Sequence, residues 1–225
     1  NKPSINIREP CLARDLVSEC MILMGTVIAD FATINNIPIP YRSQVSSLKT
    51  NRNQIKNINI LAVHNSFIKQ NLYRAITSVE PNKHFSLGLK NYAQASSPLR
   101  RYSDLLVHRQ ILGHLDKSTI YKSTELSDIL KSLITPQKEA LEKSREDQLN
   151  MQYLLFEYKK SEKWKTYFLR MLNSRAHIVL LYFESLEMEI VCTINALEEW
   201  SIGDCFNIVV DQIDPNSKTV IFRLI

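Results

Sequence analysis

The apolar positions along this chain fall into two regimes. Up to about residue 160 they recur every three or four residues, the period of a helix with one buried face. Beyond Trp164 they alternate or run together in short stretches, the habit of β-strands. In the first regime Leu12, Leu16, Val17, Cys20, Leu23, Met24, Val27, Ile28 and Phe31 keep a wide apolar stripe, which predicts a helix over 11–35. Asn35-Asn36 and then Ile37-Pro38-Ile39-Pro40 end it, because each proline disfavours helical backbone at the residue before it. Residues 41–53, rich in Ser and Asn, read as a surface loop, 54–72 as a second, weaker helix, and 73–95 as short extended pieces. Ser97-Pro98 predicts a helix start, with Ser as N-cap and Pro at the first helical position, and the helix runs to about Leu115. A short helix near 124–134 follows, and Thr135-Pro136 repeats the signal and opens a helix to about Lys160.

The second regime holds five strand-like runs, 165–172, 175–183, 187–193, 204–213 and 217–224. Asn173-Ser174 and Asp214-Pro215-Asn216-Ser217 separate two of the pairs as hairpin turns. Five strands in so short a stretch match a small OB-type barrel. The predicted fold class is therefore α+β, a mainly helical domain over 1–162 followed by a five-stranded barrel over 163–225.

Composition changes this picture little. The 225 residues, 44% hydrophobic, suffice for one core plus a small satellite domain. A formal net charge of +5 favours a polyanionic partner only weakly. Cys11, Cys20, Cys192 and Cys205 form no CxxC or Cys/His ligand pattern and read as buried, reduced thiols. No uninterrupted apolar run reaches the length of a membrane span, so no membrane partner is expected. The chain opens on Asn1 in mid-pattern, which reads as a fragment, a processed product or a cropped chain.

The densest chemistry lies in Tyr92-Ala93-Gln94-Ala95-Ser96-Ser97-Pro98-Leu99-Arg100-Arg101-Tyr102-Ser103-Asp104-Leu105-Leu106-Val107-His108-Arg109. A helix start offers free N–H groups and the positive end of a dipole to an anion. Arg100 and Arg101 fall in that same predicted turn, and a guanidinium fork matches two phosphate oxygens. Together they would clamp one phosphodiester. Arg100, Asp104 and His108 would share one helix face, where Asp104 orients Arg100 or pairs with His108. A solvated salt-bridge face has the same spacing.

This segment closely resembles the motif Y-x-H-F-T-S-P-I-R-R-Y-x-D-L-x-V-H-R of the RNase II / RNase R exoribonucleases, whose catalytic domain is the RNB domain. The resemblance extends along the chain. Leu16 to Met24 is similar to the family's L-V-E-E-x-M-I-L-A helix, Ile37 to Gln44 to I-P-x-x-Y-R-x-Q, and His84 to Leu89 to H-x-x-L-G-L. Gln152 to Tyr158 resembles the R-Y-W-L-L-x-Y-L run of the cyanobacterial and plastid branch. Ile202 to Pro215 resembles that branch's C-terminal OB barrel, of the ribosomal protein S-one type. The resemblance implies the C-terminal part of an RNB catalytic domain plus an RNA-binding barrel. It implies a 3′→5′ exoribonuclease that hydrolyses single-stranded RNA to 5′-mononucleotides, with Mg²⁺ as cofactor and single-stranded RNA as partner. The arginine after Ser-Pro-Ile, here Arg100, would stabilise charge at the scissile phosphate. Ser97, Arg101, Tyr92 and Arg42 would bind RNA. The compartment would be a plastid stroma or a cyanobacterial cytoplasm, to which the paucity of Gly and abundance of Asn, Ile and Lys add an AT-rich genome. The alternative is a non-catalytic RNA-binding or scaffold protein on the same fold.

The departures are specific. Gln94 and Ala95 stand for the family's His and Phe, Ser96 for Thr and Leu99 for Ile. The family's aspartate run, D-x-x-x-x-x-D-D in outline, has no counterpart here, since Asp15, Asp30, Asp104, Asp116 and Asp128 are scattered. No metal ligand is therefore assigned in this chain. For the acidic position of the family's later long helix, Glu146, Asp147 and Gln148 all remain in register. Tyr102 reads as core, spaced with Leu99 and Leu106, and Trp164 and Trp200 as packing residues. Arg170, Arg175, His177 and Tyr182 read singly as ordinary strand residues. Lys159, Lys160, Lys163 and Lys165 read as a solvated hinge or a phosphate track.

Overall fold

The computed structural model describes residues 3, 5–7, 9–45, 60–195, 199–214 and 219–225. They divide into two compact units, one drawn from 10–49 and 72–140, the other from 1–9, 50–71 and 141–225.

In the first unit α1 spans Leu12–Ile34, as its apolar period predicts. Its buried stripe is not the long-chain one, however. Gly25, Ala29 and Ala32 pack against Ile37, Ile39, Tyr41, Ala93, Ala95 and Val107, while Leu12, Leu16, Leu23 and Val27 are exposed. Small side chains let neighbouring backbone approach the helix closely, which larger ones on that face would prevent. By length and averaged hydropathy α1 could cross a membrane, a correction to the run-based reading. Its small-residue face is nonetheless part of a packed core.

The expected surface loop begins as a strand. β1 (Tyr41–Ser43) pairs antiparallel with β2 (Ile76–Ser78), with Tyr41 and Ser43 buried. The rest of that predicted loop from residue 46, and the start of the helix expected from 54, lie outside the described residues. The described helix there is α2, Leu61–Asn71. After Asn71 come β2 and a 3₁₀ turn at Phe85–Leu87 closed by Gly88 at φ 66°.

α3 spans Tyr102–Leu115, four residues later at its start than Ser97-Pro98 predicts. Buried Gln110 holds it in place. Its amide donates to the carbonyls of Pro38 (2.7 Å) and Tyr121 (2.9 Å), and its oxygen accepts the Tyr121 N–H (2.9 Å). α4 (Ser123–Ser132) and α5 (Ile134–Tyr158) are separated by Leu133 alone. Thr135 and Pro136 thus sit inside the first turn of α5, where no N–H is needed, rather than ahead of it.

The second unit holds the barrel. β3 (Trp164–Asn173), β4 (Ile178–Phe183), β5 (Met188–Ile194), β6 (Cys205–Asp214) and β7 (Thr219–Leu224) close in the order β3-β4-β5-β7-β6. β6 returns to β3, and β5 runs parallel to β7. All five predicted runs are strands, and the closed five-stranded barrel is the OB-type architecture expected. Of the two predicted hairpin turns, Pro215-Asn216-Ser217 lies outside the described residues. Inside the barrel Trp164, Phe168, Val179, Leu181, Phe183, Ile208 and Phe222 form one core. The end of α5 supplies its plug: the Phe156 ring lies 5.0 Å from Phe222 and 5.5 Å from Trp164 and Phe183. Trp200 stacks on Phe206 at 4.6 Å. Both tryptophans pack, as expected. On the outside, Val63 of α2 covers Tyr167, Leu169 and Leu180.

The cysteines depart from expectation. Only Cys192 is buried, with its thiol pushed up by desolvation, while Cys11, Cys20 and Cys205 are exposed. Cys11 and Cys20 follow the outer face of α1, and Cys205 opens β6.

Candidate nucleic-acid interface

The segment from Tyr92 to Arg101 lies in the first unit, and its first residues bond to β1 and α1. The Tyr92 carbonyl accepts the Arg42 N–H (2.7 Å), and the Ala93 N–H donates to the Gly25 carbonyl (3.2 Å). Gly25 is required there. A Cβ on it would overlap both the Ala93 carbonyl oxygen and the Tyr92 ring. Farther along, a ring nitrogen of His108 bonds the Ala95 carbonyl at 2.7 Å. β1 and α1 therefore fix where the Tyr92 ring sits, and α3 fixes the chain after it.

The predicted capped helix at Ser97 is replaced by a tight turn. The Arg100 and Arg101 N–H groups donate to the Ser97 carbonyl, and Arg101, in extended backbone, is the residue before α3. The cause is Asp104. Its side chain is fully buried and reaches back to accept the Ser97 N–H (2.9 Å) and the Arg101 Nε–H (2.9 Å), with Arg101 Nη2 at 2.6 Å. A buried carboxylate must gather donors, and closing this clasp costs the first helical turn. Asp104 thus pairs with Arg101, not with Arg100 or His108, and the three residues do not share one face. The clasp also sets the rotation of α3, whose buried face carries Leu106, Val107, Gln110 and Gly113. Tyr102 falls on the other side, 41% exposed, instead of in the core.

The two arginines now differ. Arg101 is tied down, to Asp104 and to Ser96 Oγ (3.1 Å). Arg100 is exposed, beside fully exposed Leu99, and its guanidinium bonds no described residue. Arg42 donates from Nη1 to Thr77 Oγ1 (3.0 Å). Burial, and then the charge of Arg101, push its guanidinium below the usual arginine range. Tyr92 lies edge-on to His84, ring centres 5.7 Å apart. Burial raises the Tyr92 hydroxyl, with Arg101 opposing and Asp104 adding. Burial and then Arg42 lower the His84 imidazole, whose Nδ1 is buried with no hydrogen-bond partner among the described residues. Arg42, Tyr92, Arg101 and Ser97 are thus brought together, with Arg100 next to them in the turn. His84, Gly25 and Thr77 are members that residue spacing does not single out. The one available signal for Gly25 is its place with Ala29 and Ala32 on a single helix stripe.

Two positive groups held close with one more free beside them can take a phosphodiester, a charge-assisted contact of the strong kind. Among the described residues no three His, Cys, Asp or Glu side chains come together to hold a metal ion. Glu146 lines a cavity with β4, β5 and β7, and Asp147 and Gln148 line another with Pro3 and Ile5. The donor set expected for a divalent cation is not met by these residues.

The RNB domain model matches residues 1–117, which include the whole Arg42–Asp104 cluster. This chain belongs to the RNB domain family. It is 28% identical over 220 residues to an uncharacterized ribonuclease of Synechocystis, covering 97% of this chain and 33% of the relative. It is 30% identical over 240 residues to the chloroplastic/mitochondrial ribonuclease II of Arabidopsis thaliana, covering 99% of this chain and 28% of the relative. Among solved structures, the RNase R of Mycoplasma genitalium in complex with ribose-methylated single-stranded RNA superposes with a TM-score of 0.80. That match covers 98% of this chain and 43% of the other at 19% identity, a likeness of fold. The chain spans about a third of the length of the curated relatives it matches.

Proposed function

We propose that this RNB chain acts in 3′→5′ hydrolysis of single-stranded RNA, releasing 5′-mononucleotides, and contributes the phosphate-binding side of the reaction. The observation that carries this is the asymmetry of the arginine pair. Arg101 is locked by a buried carboxylate, which leaves Arg100, in the matched family motif, as a free cation on a fixed turn. A cation positioned in advance, aimed at charge that grows as the P–O bond breaks, stabilises the transition state more than the ground state. Arg100 is the catalytic residue in this reading. Arg101 and Arg42 hold the neighbouring backbone phosphate, Ser97 offers its hydroxyl, and the Tyr92 ring supports a base or sugar. Mg²⁺ is the cofactor that the family resemblance implies, and no acidic cluster among the described residues would hold it. Residues 1–162 form the catalytic part and 163–225 the RNA-binding barrel. Similarity to cyanobacterial and chloroplastic relatives supports a plastid or a bacterial cytoplasm as the compartment.

The test is a degradation assay on 5′-labelled single-stranded RNA with Mg²⁺. It uses the full product of the gene beside this 225-residue chain and an Arg100→Ala variant of the full product. Stepwise shortening by the full product is expected, slowed about 10²–10³-fold in the variant with RNA binding largely kept. RNA that is bound but never shortened by the full product would move the assignment to a non-catalytic RNA-binding protein. Equal rates for variant and wild type would remove Arg100 from catalysis.

A further inference from the structure

OB barrels commonly bind oligonucleotides across the outer face of their second and third strands, here β4 and β5. In this barrel that face is poorly suited to a polyanion. Val63 of α2 lies over Leu180 and the neighbouring β3 residues. The recess beside α2 is lined by Glu187 and Glu189 as well as Lys69. On the side of β4, β5 and β7 that faces α5, Leu149 and Tyr153 of that helix line the cavity.

The outer face of β6 and β7 is different. Where α5 passes into β3, Lys160, Ser161 and Lys163 border an open groove of about 700 Å³, completed by Val209, Arg223 and Ile225. The four lysines around the junction are not equivalent. Lys159 pairs with Glu162 at 2.9 Å and lies over the Trp164 ring, and Lys165 pairs with Glu184 at 3.0 Å. Lys160 and Lys163 are exposed, and neither ammonium has a hydrogen bond or ion pair to a described residue. Arg223, opposite them and more than half exposed, has Asp211 at 3.8 Å as its one charged partner among the described residues. The groove therefore combines two uncompensated ammonium groups, one weakly engaged guanidinium and an apolar floor.

We propose that the groove between the α5–β3 junction and the β6–β7 face is the barrel's track for the phosphate backbone of single-stranded RNA. The strand would be read there by charge and not by base edges, so recognition would be independent of sequence. This deepens the RNA reading above and rests on it. It also explains why the expected basic cluster splits: Lys159 and Lys165 serve the packing of the junction, and Lys160 and Lys163 face outward.

The test is fluorescence anisotropy of a labelled oligouridylate titrated with this chain across a salt series. The probe variants are Lys160→Ala/Lys163→Ala/Arg223→Ala, and Lys160→Arg/Lys163→Arg. The comparison variants are Arg175→Ala/His177→Ala at the β3–β4 loop, and Lys117→Ala/Lys122→Ala/Lys131→Ala, which removes equal charge from the other unit. The first variant should weaken binding about tenfold and flatten the salt dependence by about two, at roughly 0.7 per lost single-strand phosphate contact. The arginine variant should bind as wild type. Circular dichroism melts confirm that each variant is folded, and the arginine variant carries the question should the alanine variant unfold, because a loss there would also overturn the proposal. Unchanged affinity in the first variant, or an equal loss in the Lys117→Ala/Lys122→Ala/Lys131→Ala variant of the first unit, sinks the groove alone. Loss on Arg175→Ala/His177→Ala instead returns RNA to the loop end of the barrel. A wild-type chain that binds no oligouridylate takes the RNA reading down with it.

Discussion

A single carboxylate organises the chemistry at the residue scale. Asp104 is buried, accepts the Ser97 N–H and the Arg101 Nε–H with Arg101 Nη2 also in reach, and decides which arginine is free. Asp104→Ala should cost about 2–4 kcal/mol, since it strands the Ser97 N–H and most of the Arg101 guanidinium. Urea denaturation checks the cost, and a loss below about 0.5 kcal/mol would show that the clasp is incidental. His84 supplies a pH signature. Its folded pKa lies below the ordinary value of 6.5, with burial first and Arg42 second as causes. The unfolded chain therefore binds the proton more readily. Stability attached to His84 is present above pH 6.5 and falls as pH drops through and below it. The groups facing it are the Arg42 guanidinium and the Tyr92 ring. Thermal melts from pH 7.5 to 5.5 should fall more steeply for wild type than for His84→Gln, and parallel curves would refute the assignment.

Among the elements, α5 is the least expected contributor. It closes the barrel with Phe156, buried among Trp164, Phe183 and Phe222. Phe156→Ala should destabilise the barrel by about 3–5 kcal/mol through lost burial and a cavity. The emission of Trp164, which is 1% exposed, should shift red at lower denaturant in this variant. An unshifted transition would mean that the barrel closes without the helix. α1 makes the complementary point. Its period announces a helix, yet the stripe that packs in its unit is Gly25-Ala29-Ala32 and not the leucines. Hydrophobicity marks which residues favour burial. Close approach of the Tyr92–Ala93 backbone decides which of them obtain it, and there only a residue without a Cβ fits.

Across the whole molecule, local rules and long-range ones divide the outcome. The helices over 12–34, 102–115, 123–132 and 134–158, and all five barrel strands, follow from period, prolines and turn residues, which act within a few positions of chain. The motif at 92–109 carries Tyr92, Ser97, Arg100 and Arg101, and Arg42 lies in the same unit as these. How those groups are used depends on contacts between residues distant in the chain. A Ser-Pro pair is a sound helix start until a buried Asp seven residues later competes for the Ser97 N–H. Tyr102 and the cysteines could be placed inside or outside only once the helix rotations were set. Lys160 and Lys163 could be told from Lys159 and Lys165 only by the partners that folding brought to them. The long helices, the barrel strands and the family were legible in the sequence, because those depend on patterns local in the chain. The free arginine, the sealed barrel face and the open basic groove depend on which distant groups meet, and buried charge must be compensated wherever the fold supplies donors.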